Sequence, residues 1–210
     1  MSVEESVHVV VHGNIDAPAA EVFPLVCPIG EYKWIPGWKC QIVHCPNDRV
    51  ELGTIFHEYT SAPFMLDSAF AQTTWTAVFH DPENYQIHFR MDTEHTTSLY
   101  KPGFAENPDG GCAYTLDLTF TPIDTKGAEL VASDGRAAKI ELMLSALGAM
   151  LKTYAETGRM ISRRESLQKI LTSPVLSPID KAHLAMNAIR MRVFKDPNRE
   201  RMIKQWSAEA

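Results

Sequence analysis

His57 and Tyr59 carry polar tips in an otherwise apolar, strand-like run, LGTIFHEYT at residues 52–60. Facing the interior beside Ile55, they would need hydrogen-bond partners, and a bound molecule can supply one. His57 can also exchange a proton near neutral pH, which makes it the candidate catalytic residue. Two alternatives stand beside this reading. His57 is a core histidine bonded to a neighbour, or the strand is turned by one residue so that Phe56 and Glu58 face inward. Tyr59 and Tyr114 are weighed in the same way.

Other chemistries find less support. His8 and His12 would share a metal only on a helix, but VHVVVHGNI at residues 7–15 alternates with period two, and four residues of strand span ~13 Å. No HExxH motif, carboxylate cluster or cysteine spacing provides another metal site, and no cofactor is implied. Gly110-Gly111 lies between strands rather than at a helix entry, so it is not a phosphate loop, and no serine sits in a nucleophile elbow. Cys27, Cys40, Cys45 and Cys112 lack a paired framework and read as buried free thiols.

The totals narrow the partners. A chain of 210 residues and 23.5 kDa, 45% apolar and 22% charged, can bury one core of ordinary size. Its net charge of −6 argues against a nucleic-acid surface. The charge is uneven: residues 159–210 hold 11 Lys and Arg against 5 Asp and Glu, a net of +6, which leaves −12 on residues 1–158. A basic tail lying on its own acidic domain or on a second copy explains this split, and a homodimer through the tail would follow. An anionic membrane surface is the sharper alternative, opposed by the acidic body. No basic n-region precedes an apolar core, and no apolar run reaches the ~18 residues of a membrane span. The expectation is a soluble cytoplasmic protein without stable membrane insertion.

The elements that must position these residues follow from periodicity. After the first strand, Asp16-Ala17-Pro18 predicts a capped helix entry, with a short helix to about Leu25. A second short segment carries Tyr32, Trp34 and Ile35 up to the Pro36-Gly37 turn. Strands are predicted over 38–45, 52–60, 72–80, 85–91, 95–100 and 112–121; CAYTLDLTFT alternates best. Residues 61–70, SAPFMLDSAF, are too apolar for a solvated loop and either extend the strands or cover something. From about Ser133 to Thr157, Ile140, Met143, Leu144, Leu147, Met150, Leu151 and Tyr154 form one apolar stripe on a long helix that Gly158 stops. The order gives an α+β protein with seven antiparallel strands. It divides into a domain over residues 1–158 and a helical C-terminal extension over 159–210, in which Leu184, Ile189, Met191, Val193 and Phe194 suggest one packing face and Met202, Ile203 and Trp206 another.

IDAPAAEVFPLV from Ile15, EYKWIPGWKC from Glu31 and TWTAVFHDPENYQIHF from Thr74 resemble, in this order, the START-like SRPBCC superfamily, which includes the birch pollen allergen, lipid-transfer START domains and polyketide cyclases. The second stretch is similar to a bacterial subgroup. The resemblance implies a helix-grip fold: a curved sheet around the long helix, with two short helices after the first strand closing one end of an apolar cavity. Parity then places Ile55, His57, Tyr59, Trp75, Ala77, Phe79, Ile87, Phe89, Tyr114, Leu116 and Leu118 inward, joined by Met143, Leu147, Met150 and Tyr154 of the helix. Trp34 and Trp38 line or gate the cavity, or are plain packing.

Three functions fit. The first is binding or transport of a small hydrophobic molecule, lipid-like or aromatic. The second is an aromatase/cyclase or dehydratase acting on a polyketide-like substrate, with His57 and a tyrosine polarising a carbonyl. The third is an assembly protein working through its extension. The fold does not choose among them.

Overall fold

The computed structural model describes residues 6–46, 50–59, 72–133, 135–182 and 184–185. The apolar connection at 61–70, the side chain of Tyr59 and the tail residues Ile189, Met191, Val193, Phe194, Met202, Ile203 and Trp206 lie outside them.

The strands are β1 (Val7–Ile15), β2 (Cys40–His44), β3 (Ile55–Tyr59), β4 (Gln72–Asp81), β5 (Gln86–Asp92), β6 (Thr96–Glu106) and β7 (Cys112–Pro122). They form one antiparallel sheet in the order β1-β7-β6-β5-β4-β3-β2. The helices are α1 (Ala19–Val22), α2 (Thr125–Val131), α3 (Arg136–Thr157) and α4 (Arg163–Leu171), and 3-10 turns occupy Phe23–Leu25 and Gly30–Lys33. Among the described residues, no helix is long and apolar enough to cross a membrane.

Alternation builds the sheet as expected. In β7, Cys112, Tyr114, Leu116, Leu118 and Phe120 are buried and their neighbours half-exposed. In β1, His8 and His12 point outward, to Asp117 Oδ1 and Thr115 Oγ1, each at 3.0 Å.

Local chemistry moves several boundaries. Lys101-Pro102-Gly103 looks like the end of a strand, but β6 runs through it: Pro102 pairs with Leu116 of β7, and the ladder to β5 lapses between Gln86↔Gly103 and Phe89↔Tyr100. A proline is tolerated where no partner needs its missing N–H. In β4 a bulge between Ala77 and Phe79 reverses the parity, so Phe79, predicted inward, lies 39% exposed and stacks on His88 outside. Asp16 does not cap α1. The first free N–H of that helix, on Ala19, donates to Glu106 Oε1 at 2.9 Å, and the Asp16 N–H donates to Glu156 Oε1 at 2.8 Å. The long helix begins at Arg136, after the separate helix α2 and Gly135 at φ +71°, and ends at Gly158 in the left-handed conformation.

Helix α3 crosses the β1 side of the sheet. Ile140, Leu144 and Leu151 are buried in the main core, with Leu147 and Tyr154 half-buried against it. The opposite side of α3 is also covered. Leu142, Met143 and Ala146 pack with Leu171 and the buried Ile170, Leu176 and Leu184 of the C-terminal segment, and Lys139 pairs with Asp180 at 2.9 Å. Met143, predicted to face the sheet, therefore lies under the extension. The helix has two apolar faces, and the sequence stripe merges them.

Tyr114 sets the contact between helix and sheet. Its ring occupies the space where a Cβ on either Gly13 of β1 or Gly148 of α3 would stand. Alanine in place of glycine inside a helix normally adds about 1 kcal/mol of stability. Gly148→Ala should reverse that sign and destabilise by about 1–3 kcal/mol through overpacking, read from urea unfolding; an unchanged or raised midpoint would mean that the ring slides aside.

Candidate functional site

Because α3 lies toward β1, the concave face of β2 to β6 is left to other cover. That cover includes the chain between α1 and β2, which is rich in proline and aromatic residues and is held by its own side chains. Trp34 Nε1–H donates to the Leu25 carbonyl at 2.8 Å and Trp38 Nε1–H to that of Pro28 at 2.7 Å. The Cys40 N–H donates to the Tyr32 hydroxyl at 3.1 Å, tying the segment to the edge strand β2. Gly30 packs so closely on Pro24 and Leu25 that a Cβ there would strike their backbone carbonyls. Both indoles, candidates for lining or gating, thus have backbone partners; Trp34 is buried and Trp38 half-buried.

Beneath this segment the register of β3 decides which groups face inward. Phe56, 1% exposed, pairs with Trp75, and Glu58 pairs with Cys40 on one side and Thr73 on the other. Parity places Ile55, His57 and Tyr59 inward; the structure instead realises the turned strand. His57 projects to the convex face, where its Nδ1 lies 3.2 Å from Thr74 Oγ1. It is therefore not an interior acid or base. Isoleucine and phenylalanine at adjacent positions satisfy either parity, so patterning alone does not fix this strand.

The inner faces of β3 to β6 carry an aromatic cluster. Phe56 stacks on Trp75 at 5.4 Å between ring centres, and Phe89 and Tyr100 meet Trp75 edge-on at 5.7 and 6.0 Å. Polar groups are set among these rings. Trp75 Nε1–H donates to Glu58 Oε2 at 2.9 Å. Thr73 is fully buried, and its hydroxyl has no hydrogen-bond partner. Glu31 descends from the Gly30–Lys33 turn, and its carboxylate accepts no hydrogen bond among the described residues. Burial and the nearby Glu58 raise its pKa well above the ordinary glutamate value of 4.5. Burial, and then the Glu31 charge, raise the Tyr100 phenol. Glu31, Glu58 and Tyr100 thus form one electrostatic group on an aromatic floor. Cys27, within the same segment, accepts from the Gly30 N–H at 3.1 Å, and burial pushes its thiol up to about 11.

Trp75 and Phe89 are the sequence candidates brought together here. Tyr114 lies under α3 instead, with Leu147 and Tyr154 near that helix contact. Met150 is buried, and its sulfur accepts from Ser166 of α4 at 3.6 Å. Glu31, Thr73 and Tyr100 are missed by the sequence reading, which names Phe56 and Glu58 only as the alternative for β3. The available signal is an acidic residue at the head of an aromatic run, EYKWIPGW, and the Phe56/Glu58 alternative for β3.

Solved structures share this architecture. A START superfamily protein from Mycobacterium smegmatis superposes with a TM-score of 0.58 at 14% identity, over 74% of this chain and 100% of that one. The Zhui aromatase/cyclase from Streptomyces sp. R1128 gives 0.55 at 14%, over 75% and 100%. CalU16 from Micromonospora echinospora gives 0.52 at 12%, over 91% of this chain and 92% of that one. No family model matches the chain, and no curated protein matches it by sequence. At these identities the likeness is one of fold: the chain has the START-like, helix-grip SRPBCC fold, a curved antiparallel sheet against one long helix.

Proposed function

We propose that the protein binds a small, largely apolar molecule against the concave face of β3 to β6, beneath residues 23–39, with the polar end of the ligand at Glu31, Glu58 and Tyr100. The observation that carries this reading is the Glu31 carboxylate. A half-buried carboxylate that accepts no hydrogen bond among the described residues and lies near a second carboxylate destabilises the fold, and such groups concentrate where a ligand completes them. The aromatic floor supplies the apolar contact surface that small-molecule sites use. We also propose residues 1–158 as the binding domain and 159–210 as an extension whose described part covers the outer side of α3.

A second reading draws on the same carboxyl. An acid whose pKa is raised by burial is suited to proton transfer, as an aromatase/cyclase or dehydratase requires, with Tyr100 beside it. In this version Glu31, not His57, moves the proton. Replacing it would abolish turnover of a carbonyl substrate, whereas a pure carrier has no turnover to lose.

Two measurements test the site. The neutral dye N-phenyl-1-naphthylamine should brighten in saturable fashion at one dye per chain, and a folded protein that takes up no neutral apolar probe would overturn the proposal. The second is stability against pH. Glu31 binds its proton more tightly in the folded state, so its contribution is fully present below 4.5 and is lost as the pH rises through the higher folded-state value. Glu31→Gln should therefore melt above the wild type at pH 8, by about 1–2 kcal/mol, with the gap closing as the pH falls toward 4.5. A pH-independent gap would show that the charge is accommodated without strain.

A further inference from the structure

The segment over the concave face is fixed at both ends and leaves its middle to another element. At its start the Phe23 ring lies 6.0 Å from that of His80, 6.1 Å from Tyr85 and 6.4 Å from Phe104, which seats it on that end of the sheet. At its end the Tyr32 hydroxyl holds Cys40 of β2. Between them lies the Pro36-Gly37 turn, with Gly37 exposed and left-handed at φ +84°. What meets this turn comes from the C-terminal extension. The guanidinium carbon of Arg163 lies 3.6 Å from the point where a Cβ on Gly37 would stand, and its Nε and Nη1 lie at 3.7 Å. Three atoms at nearly one distance place the flat face of the guanidinium against a peptide that has no side chain.

The chain after α3 is arranged to deliver that side chain. Gly158 ends α3, Ile161 drops into the main core at 8% exposed, and Ser162 opens α4 with a capping box. The Ser162 hydroxyl accepts from the Glu165 N–H at 3.2 Å, and the Ser162 N–H donates to Glu165 Oε2 at 2.7 Å. Helix α4 is then seated on the outer side of α3 by Ile170 and by the contact of Ser166 with Met150. Arg163 is the first residue of α4, where the macrodipole disfavours a cation. Helix stability therefore does not explain its half-buried place, whereas a planar guanidinium suits packing on a bare peptide. We propose that Arg163 is a positioning residue for the covering segment: it clasps the Pro36-Gly37 turn to α4, so that the seating of the extension sets how often residues 30–39 lift from the concave face. Its consequence for ligand entry rests on the binding proposal above.

Hydrogen exchange of the full chain, read by mass spectrometry at pH 7, tests the clasp without any ligand. Arg163→Ala should speed exchange in residues 30–39 by roughly tenfold, because opening no longer has to part the contact. Amides of β7 should exchange at the wild-type rate, which a general loss of stability would not allow. Arg164→Ala, at an exposed arginine in the same helical turn, should change neither stretch. In stopped-flow mixing, N-phenyl-1-naphthylamine should enter and leave Arg163→Ala faster than the wild type by a similar factor. Unchanged exchange in residues 30–39, or a rise shared equally by β7 or by Arg164→Ala, would overturn the clasp. Faster exchange with unaltered dye rates would overturn its control of entry. Faster exchange in a protein that takes up no dye would overturn the binding proposal while the clasp stands.

Discussion

One ring between two glycines fixes the arrangement of everything else. Tyr114 projects from β7 into the space that Gly13 and Gly148 leave by having no side chains, so α3 approaches β1 closely and is held to that side. A helix centred on the sheet would cover the aromatic rows of β3 to β5. Displaced toward β1, it leaves them to an irregular segment of chain whose own backbone groups must be satisfied. The indoles of Trp34 and Trp38, the Tyr32 hydroxyl and the Cys27 sulfur do that work, each taking or giving a bond to main chain within the segment or at β2.

The interior below that segment departs from ordinary core composition. Cores are filled with apolar side chains, and buried ionisable groups are paired. Here the rings pack as a core does, while Glu31 faces another acid and Thr73 has no partner. Local conflicts of this kind mark functional sites, because the rest of the fold carries their unfavourable energy. The contrast with the convex face is instructive. His8, Lys101 and Asp117 form an ordinary surface network there, and His57 meets Thr74.

Much of the fold was legible in the sequence because two periodicities are clean. Strict alternation in β1 and β7 identifies both strands and their buried sides, and the change to spacings of three and four marks the long helix. The site was less legible. Adjacent apolar residues Ile55 and Phe56 leave β3 without a preferred parity, and a bulge after Ala77 turns Phe79 outward in a segment that otherwise alternates. Met143 belongs to a second apolar face that exists only because a distant segment returns to cover it. Glu31 has no local signature of burial, since its enclosure comes from a sheet assembled from residues far along the chain. Trp75 and Phe89 were found because large rings on regular strands announce their faces, whereas the acids between them do not.

The thiol of Cys27 gives this architecture a built-in gauge. Half-buried, with its pKa raised by burial, it is a poor nucleophile while the covering segment is seated, since alkylating reagents attack the thiolate. Lifting that segment would return the sulfur to water and to its ordinary acidity. Its rate of labelling therefore follows how often the roof opens, and a molecule that stays inside only while the roof is down would slow that clock in proportion to its occupancy.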